Sequence, residues 1–244
     1  MDATAPETRS ESETNTETRR SPFIRSRGMK IPKHPQFTTG QVRSALREGT
    51  YELRECEAVL RVVEEGDTVL ELGAGLGYMS TLVTTKKPGT RVHAFEANPA
   101  LIPYIHEVHE ANGVADRVTV HNALLAAKAS KPVPFHVRDN FLASSMDKDA
   151  AGGVIETHEI EVRNFGATLK ALQPDVLICD IEGAEADLLP AADLSGLRAA
   201  VVELHPQWIG QAGVQAVFDA MHKAGLTYFP KTSNAKVVTF RKGW

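Results

Sequence analysis

Short apolar runs alternate with helical apolar periods along most of this chain. The runs lie at residues 68–73, 91–98, 117–124, 175–182 and 197–206. Between them, apolar residues recur every three or four positions, which is typical of amphipathic helices. Strands that alternate with helices form right-handed crossovers, and these build a mostly parallel sheet covered by helices on both faces. The sequence therefore predicts an α/β fold of the doubly wound kind, with ligands bound at the carboxyl ends of its strands.

Two pairs of segments add strands outside this alternation. Residues 133–139 and 158–165 alternate apolar and polar side chains, as half-buried strands do, and predict an inserted β-hairpin. Residues 226–232 and 235–243 predict an antiparallel hairpin at the C-terminal end of the sheet.

The first 49 residues differ in composition from the rest. Residues 1–20 are Thr, Glu, Ser and Arg with almost nothing to bury, so they predict a disordered tail. Residues 21–49 predict an N-terminal strap or lid. Its first part, residues 21–35, carries four basic residues and no acidic one, so it could attract an anionic substrate. Residues 50–244 then form the main domain.

Charge and cysteine content narrow the choice of partners. The formal net charge is −4 and the sequence pI is near 6.1, which gives no general case for nucleic-acid binding, although a local basic patch stays possible. We expect a small-molecule substrate and no nucleic acid. No stretch approaches the roughly 20 apolar residues of a membrane span. Cys56 and Cys179 fit no metal or redox spacing, which favours a reduced, cytoplasmic setting. A homodimer, the common default for soluble oligomers, stays open.

The first strand of the alternation ends in a glycine-rich turn. Glu71 is followed by Gly73, Gly75 and Gly77, a G-x-G-x-G spacing that differs from the G-x-G-x-x-G of dinucleotide-binding turns. Glycine permits the sharp turn and leaves the peptide plane bare for a ligand. Glu96 ends the next strand, where an acid can accept hydrogen bonds from ribose hydroxyls. Two acids repel phosphate, so the pattern favours a nucleoside with a cationic tail, S-adenosylmethionine.

Four stretches of the chain resemble the class I S-adenosylmethionine-dependent methyltransferases, and within them the FkbM family. They are GDTVLELGAGLGYMS (66–80), VHAFEANP (92–99), LICDIEGAEADLL (177–189) and VVELHP (201–206). The third contains a D-x-E-G-x-E core that is the most characteristic of the FkbM family. The resemblance implies a Rossmann-like, mostly parallel seven-stranded sheet, with residues 50–244 as the methyltransferase domain.

The same resemblance implies roles for the residues at the strand ends. The implied cofactor contacts are Glu71, Gly73, Ala74, Gly75, Glu96, Ala97, Asn98, Asn122, Ala123 and Asp180. Glu71 and the glycines would face the amino-acid part of the cofactor. Asn122 and Ala123 would lie near the adenine, and Asp180 beside the reacting methyl group.

Catalysis by methyl transfer needs alignment of the acceptor with the methyl group and, for a hydroxyl acceptor, a general base. His205 is the best candidate base, because it follows a strand and has an ordinary pKa near 6.5, and Asp180 is its catalytic partner. The candidate substrate contacts are Asn140, Ser144, Ser145 and Glu182.

The acids near the third stretch could also collect oxygen ligands for a magnesium ion. These acids are Asp180, Glu182, Glu185 and Glu203. Their spacing does not require a metal, so we expect S-adenosylmethionine as the cofactor and no metal ligands.

The leading interpretation is O-methylation of a small-molecule hydroxyl in a natural product, glycan or lipid head group. N-methylation of a small molecule and a non-catalytic cofactor-binding module stay open. An NAD(P)-dependent oxidoreductase is less favoured, because of the glycine spacing and Glu71. A nucleic-acid methyltransferase is less favoured too, because base-amino enzymes show N/D-P-P-Y/F where this chain reads DIEG, residues 180–183.

Overall fold

The structure, a computed structural model, describes residues 21–138 and 153–244. Its strands are β1 (Phe23–Ser26), β2 (Met29–Pro32), β3 (Thr68–Leu72), β4 (Arg91–Glu96), β5 (Val118–Ala126), β6 (Ser130–Arg138), β7 (Val154–Asn164), β8 (Val176–Cys179), β9 (Ala199–Glu203), β10 (Thr227–Tyr228) and β11 (Val237–Arg241). Its α-helices are α1 (Gly40–Glu48), α2 (Leu53–Val62), α3 (Tyr78–Lys86), α4 (Ile102–Asn112), α5 (Phe165–Leu172), α6 (Glu185–Leu188) and α7 (Pro206–Lys223).

Nine strands form one sheet in the order β10-β11-β9-β8-β3-β4-β5-β7-β6. The strands from β9 to β5 are parallel to their neighbours, whereas β11 runs antiparallel to β9 and pairs with β10 as the C-terminal hairpin. The predicted doubly wound α/β fold is confirmed. The chain crosses from β3 to β4 on one side and returns to β8 on the other, so the switch point lies between β3 and β8.

The inserted hairpin of β6 and β7 joins the main sheet. The sheet therefore has nine strands, the seven that were expected and the two of the hairpin. β5 makes this possible because it is long. Its first part, to Asn122, pairs with β4, and its second part, from Ala123, pairs in parallel with β7. The hairpin therefore extends the sheet beyond β5 and forms one side of the space above the strand ends.

Both faces of the sheet are buried, which explains the continuous apolar runs of the central strands. All four residues of β8 are buried, as are the last four of β3. One apolar cluster joins β1 and β2 with α1 to α4 on the first face. A second cluster joins α5, α6 and α7 with the C-terminal strands on the other face.

The segment 21–49 packs on the first face. β1 and β2 form an antiparallel hairpin, and their apolar side chains belong to the same cluster as those of α2 and α3. The Tyr78 hydroxyl lies 2.8 Å from Ser26 Oγ, and the Tyr104 hydroxyl donates to the Pro32 carbonyl at 2.8 Å. The interpretation of residues 21–49 as a strap or lid stays a prediction. Residues 21–49 are absent from the walls of the main cavity described below.

Two segments singled out by the sequence lie outside the described residues. These are the predicted tail at residues 1–20 and the loop that carries Asn140, Ser144 and Ser145. Among the residues that are described, no helix has the length and apolar character needed to cross a membrane. The cytoplasmic setting stays a prediction.

Candidate active site

The three glycines after β3 have different structural roles. A Cβ on Gly73 would lie 1.8 Å from the Asp180 carbonyl oxygen, and one on Gly77 would lie 2.9 Å from Ile105 Cγ2. These two glycines let the turn pack against the end of β8 and against α4. Gly75 has φ +52°, and a Cβ there would have no atom within 4 Å. Gly75 therefore presents bare backbone to open space, as a ligand-contacting turn requires.

Glu96 ties this turn to the end of β4. Its Oε2 accepts a hydrogen bond from the Gly75 N–H and its Oε1 accepts one from the Asn98 N–H, both at 2.8 Å. Burial raises the pKa of Glu96, and these backbone hydrogen bonds act in the opposite direction. The carboxylate lines the cavity at the position expected for a ribose contact.

Glu71 lies behind the glycine turn and not in the cavity wall. It is 1% exposed, and its Oε1 accepts a hydrogen bond from the Ser80 N–H at 3.2 Å. Burial raises the pKa of Glu71 to about 8. The expected contact between Glu71 and the cofactor is therefore revised to a supporting role, in which the side chain anchors the first turn of α3.

Asn122 also supports the site from behind. Its Nδ2 donates to the carbonyls of Glu96 and Ala97 at 2.9 and 3.1 Å, which fixes the end of β4 against β5. Ala123, the next residue, lines the cavity. Of the two residues expected near the adenine, the structure thus places Ala123 in the wall and Asn122 beneath it.

The cavity above the strand ends has a volume of about 730 Å³. Its polar wall is formed by Tyr51, Glu52, Gly73, Gly75, Glu96, Asn98, Asp180 and Glu182. Its apolar wall continues along β5 to the inserted hairpin, with Leu124, Leu125, Val133, Phe135 and Val162. The cavity therefore has one end suited to a charged ligand and another suited to an apolar surface.

Carboxyl groups accumulate at the polar end of the cavity, which is lined by Glu52, Glu96, Asp180 and Glu182. Burial, followed by repulsion from Asp180, raises the pKa of Glu52 to about 8. Burial, followed by repulsion from Glu203 and Glu182, raises the pKa of Asp180 to about 7. Asp180 Oδ1 is buried and has no hydrogen-bond partner. A cationic ligand would relieve this repulsion, so these residues fit a sulfonium or ammonium group and disfavour a phosphate.

Tyr51 and Glu52 were missed by the sequence analysis. Glu52 precedes α2 with φ +45°, a left-handed conformation that is strained for a non-glycine residue. A hydrogen bond with the Tyr51 side chain lowers the pKa of Glu52 and so opposes the effect of burial. No motif in the sequence indicates this geometry, because it follows from the path of the chain between α1 and α2.

His205 lies among three carboxylates. Its ring Nε2 is 3.2 Å from Glu182 Oε2 and 3.6 Å from Asp180 Oδ1, and its Nδ1 is 3.3 Å from Glu185 Oε1. The His205 N–H also donates to that Oε1 at 2.8 Å. Burial alone would lower the pKa of His205, but the three carboxylates outweigh it and raise the pKa. The imidazole is therefore harder to deprotonate than an ordinary histidine side chain.

This geometry revises the prediction that His205 is the general base. The residue is 2% exposed and contributes nothing to the cavity wall, which it reaches only through Asp180 and Glu182. Both ring nitrogens already face carboxylate oxygens, Nε2 towards Glu182 and Nδ1 towards Glu185. The structure suits His205 to position the Asp180 carboxylate, which does line the cavity. Among the predicted catalytic residues, Asp180 alone faces the space where an acceptor would lie.

Asp180, Glu203 and His205 also offer ligand atoms within 4.8 Å of one another, a set that could hold a metal ion. Glu185, fully buried, belongs to the same network, since its Oε2 accepts a hydrogen bond from the Gly183 N–H at 2.8 Å.

Residues 49–173, about half of the chain, match the family model described as the TRM5/TYW2 methyltransferase domain. A tRNA wybutosine-synthesizing protein 2 homolog from Danio rerio is 24% identical over 163 residues, which are 63% of this chain and 36% of that protein. A protein of the same description from Bos taurus is 30% identical over 118 residues, 45% of this chain and 26% of that protein. The matched segments thus span about a third of the length of these relatives.

Solved structures are similar at lower identity. Trm5b from Pyrococcus abyssi is 14% identical, with a TM-score of 0.49, and the match covers 90% of this chain and 55% of that one. The matched family segment ends at residue 173, before the D-x-E-G-x-E core at residues 180–185. The closer resemblance to the FkbM family depends on that core, so it stays a prediction.

Proposed function

The chain belongs to the TRM5/TYW2 methyltransferase domain family, and from this premise we propose that the domain transfers the methyl group of S-adenosylmethionine to an RNA acceptor, with tRNA as the substrate class. The class I S-adenosylmethionine-dependent methyltransferase assignment agrees with the sequence interpretation. The proposal rests mainly on the cavity at the switch point. Its polar end holds two carboxyl groups with raised pKa values, Glu52 and Asp180, and the bare backbone of Gly75.

The expectation of a small-molecule substrate and no nucleic acid is wrong. It is overturned by the match to the TRM5/TYW2 model and by the curated relatives, which are described as tRNA wybutosine-synthesizing protein 2 homologs. The expectation failed because it used the net charge of −4 for the whole chain. Residues 21–47 alone contain six Lys and Arg residues and no acid. Such a local basic surface is what RNA phosphates require.

We assign the cofactor contacts from the cavity wall. Glu96 would hold the ribose hydroxyls, and Ala97, Asn98 and Ala123 would border the adenine. The backbone at Gly73 and Gly75, with Glu52 opposite, would surround the amino-acid part. The cofactor supplies an electrophilic methyl group bound to a positively charged sulfur.

The protein's own contribution is orientation and proton removal. Asp180 faces the cavity, and its pKa of about 7 suits a group that accepts a proton from an acceptor near neutral pH. His205 and the fully buried Glu185 fix the Asp180 carboxylate from behind. In-line transfer then depends mainly on holding the acceptor beside the methyl group, a proximity effect.

Methyl transfer from cofactor labelled in its methyl group to mixed tRNA tests the proposal. We expect label in RNA that ribonuclease releases and protease does not. Asp180→Asn should lower the rate by about a hundredfold, in the range typical of a lost general base. Asp219→Asn is the matched control, because Asp219 is an exposed acid on α7. Label confined to small-molecule acceptors, with none in RNA, would disprove the RNA assignment.

A further inference from the structure

An exposed tryptophan lies at the rim of the cavity. Trp208 is 70% exposed although it is a large apolar side chain in the first turn of α7. A Cβ on Gly183 would lie 2.9 Å from Trp208 Cβ and 3.3 to 3.5 Å from two atoms of its indole ring. Gly183 itself lines the cavity. The indole is therefore seated directly against the cavity rim while most of its surface faces solvent.

The backbone around Trp208 is shaped to keep it there. Glu182 has φ +49° and Gly183 has φ +101°, both in the left-handed region. Any side chain at position 183 would displace the tryptophan. The Trp208 backbone N–H donates to the His205 carbonyl at 2.8 Å, which fixes the backbone of Trp208 next to His205.

The charges near Trp208 limit what it can bind. Glu182, 68% exposed, and Asp180 both present carboxyl groups at the same rim. Carboxylates repel phosphate, so the RNA backbone is kept away from this edge of the cavity. An uncharged base experiences no such repulsion. Aromatic side chains stack unpaired bases of RNA, and this contact works for every base because each has a π face.

We propose that Trp208 is a stacking platform for an unpaired nucleobase of the RNA substrate, and that it holds this base over the mouth of the cavity. The proposal rests on the proposed function, since it names the part of the RNA that this rim recognises. It also places the acceptor base within reach of Asp180 while the phosphates lie outside the acidic rim.

Intrinsic fluorescence gives a direct test, because the chain has only two tryptophans, Trp208 and Trp244. In the Trp244→Phe variant the whole tryptophan signal comes from Trp208. A tRNA transcript with an unpaired loop should quench this signal, whereas an RNA duplex without unpaired bases should quench it several-fold less. In Trp208→Phe, which retains only Trp244, the transcript should leave the emission nearly unchanged.

Steady-state kinetics give the second readout. Trp208→Ala should raise KM for tRNA by about tenfold to a hundredfold, the range expected for one lost base–aromatic stack. Trp208→Phe keeps a ring and should retain most of the affinity. Trp244→Ala is the control, because Trp244 is also exposed but contacts Phe229 near the end of the chain. The affinity for S-adenosylhomocysteine should be equal in the wild-type protein and in Trp208→Ala, Trp208→Phe and Trp244→Ala.

The outcomes separate the two proposals. If wild-type protein methylates tRNA but Trp208→Ala keeps its KM and the single-tryptophan protein is not quenched, the stacking role is wrong and the RNA function stands. If wild-type protein neither binds nor methylates RNA, the proposed function fails and the stacking proposal fails with it. If Trp208→Ala does not fold, the quenching experiment and the Trp208→Phe kinetics still decide the question.

Discussion

Glu96 has two roles, one in the glycine turn and one in the cavity wall. Its carboxylate shapes the glycine turn through the Gly75 and Asn98 N–H groups, and it lies in the cavity wall. Glu96→Gln keeps one carbonyl oxygen, so it can accept from only one of these two N–H groups, and it removes the charge that strengthens hydrogen bonds from ribose hydroxyls. We expect the affinity for S-adenosylhomocysteine to fall by about 1.5–3 kcal/mol in titration calorimetry, measured at a temperature where thermal unfolding shows that the ligand-free variant is folded. Unchanged affinity would exclude the ribose role.

The coupling of His205 to Asp180 predicts a pH effect. The positive charge of His205 lowers the pKa of Asp180, opposing burial and the neighbouring acids, which raise it to about 7. Removing that charge in His205→Gln should therefore move the pKa of Asp180 upwards. The acidic limb of the pH profile of kcat/KM for tRNA should shift to higher pH by about 1 unit.

The direction of this shift distinguishes a positioning role from a base role. If His205 were the base, His205→Gln would lower the rate at every pH and would not shift the acidic limb. Cofactor affinity at a fixed pH is the control for folding, because His205 lies outside the cavity wall. An unshifted profile would contradict the assignment of Asp180 as the titrating group.

At the scale of elements, the turn from β3 to α3 contains its own matched pair of sites. In Gly73→Ala the new Cβ would meet the Asp180 carbonyl at 1.8 Å, so β3 and β8 must separate. We expect this change to lower the free energy of unfolding by about 2–4 kcal/mol. In Gly75→Ala the Cβ enters open space, and only the left-handed φ of +52° adds strain, about 1–2 kcal/mol.

Cofactor affinity should respond in the opposite order. Gly75 lines the cavity, so its new methyl group occupies ligand space, and we expect at least tenfold weaker binding at a temperature where the protein is folded. Denaturant unfolding and calorimetry on the two variants measure both effects. Equal effects of the two substitutions on stability would show that the turn does not pack against β8 as described.

The elements themselves were largely predictable from the sequence, and the reason is burial. β8 is apolar at every position because both of its faces are covered, so its pattern is unambiguous. Tyr51 and Glu52 were not predictable, since their place in the cavity depends on a left-handed residue between two helices. The role of His205 depends on Glu185, which lies 20 residues away in sequence and 2.8 Å away in space. Sequence spacing carries no information about such contacts.

At the scale of the whole molecule, charge is segregated. Asp180 and Glu182 line the cavity, whereas the first described segment, 21–47, contains six Lys and Arg residues and no acid. An average over the chain hides this separation, which is why the net charge suggested the wrong partner. This separation of charge fits an RNA substrate. The basic segment 21–47 would attract phosphates and the acidic rim of the cavity would repel them, so that a base can approach Asp180.

The basic hairpin makes this separation testable. Arg25 and Lys30 are directly opposed across β1 and β2, and neither joins an ion pair within the described part of the chain. Like charges across a strand pair oppose hairpin stability, so a compensating anion is expected nearby. The double variant Arg25→Glu/Lys30→Glu should bind tRNA about tenfold more weakly, and the slope of log affinity against log salt should decrease by about 1 to 2.

The control for this prediction is a double reversal on the opposite face of the sheet. Lys170 on α5 and Lys223 on α7 are exposed, and their helices pack in the second apolar cluster. Lys170→Glu/Lys223→Glu changes the net charge by the same amount, so it reproduces any effect of total charge. If both double variants lose affinity and salt dependence equally, RNA responds to overall charge alone. A loss confined to the hairpin variant locates the phosphate contacts on the surface of β1 and β2. The two double variants change the net charge equally, so a difference between them would come from the lost contacts of Arg25 and Lys30 with RNA phosphates.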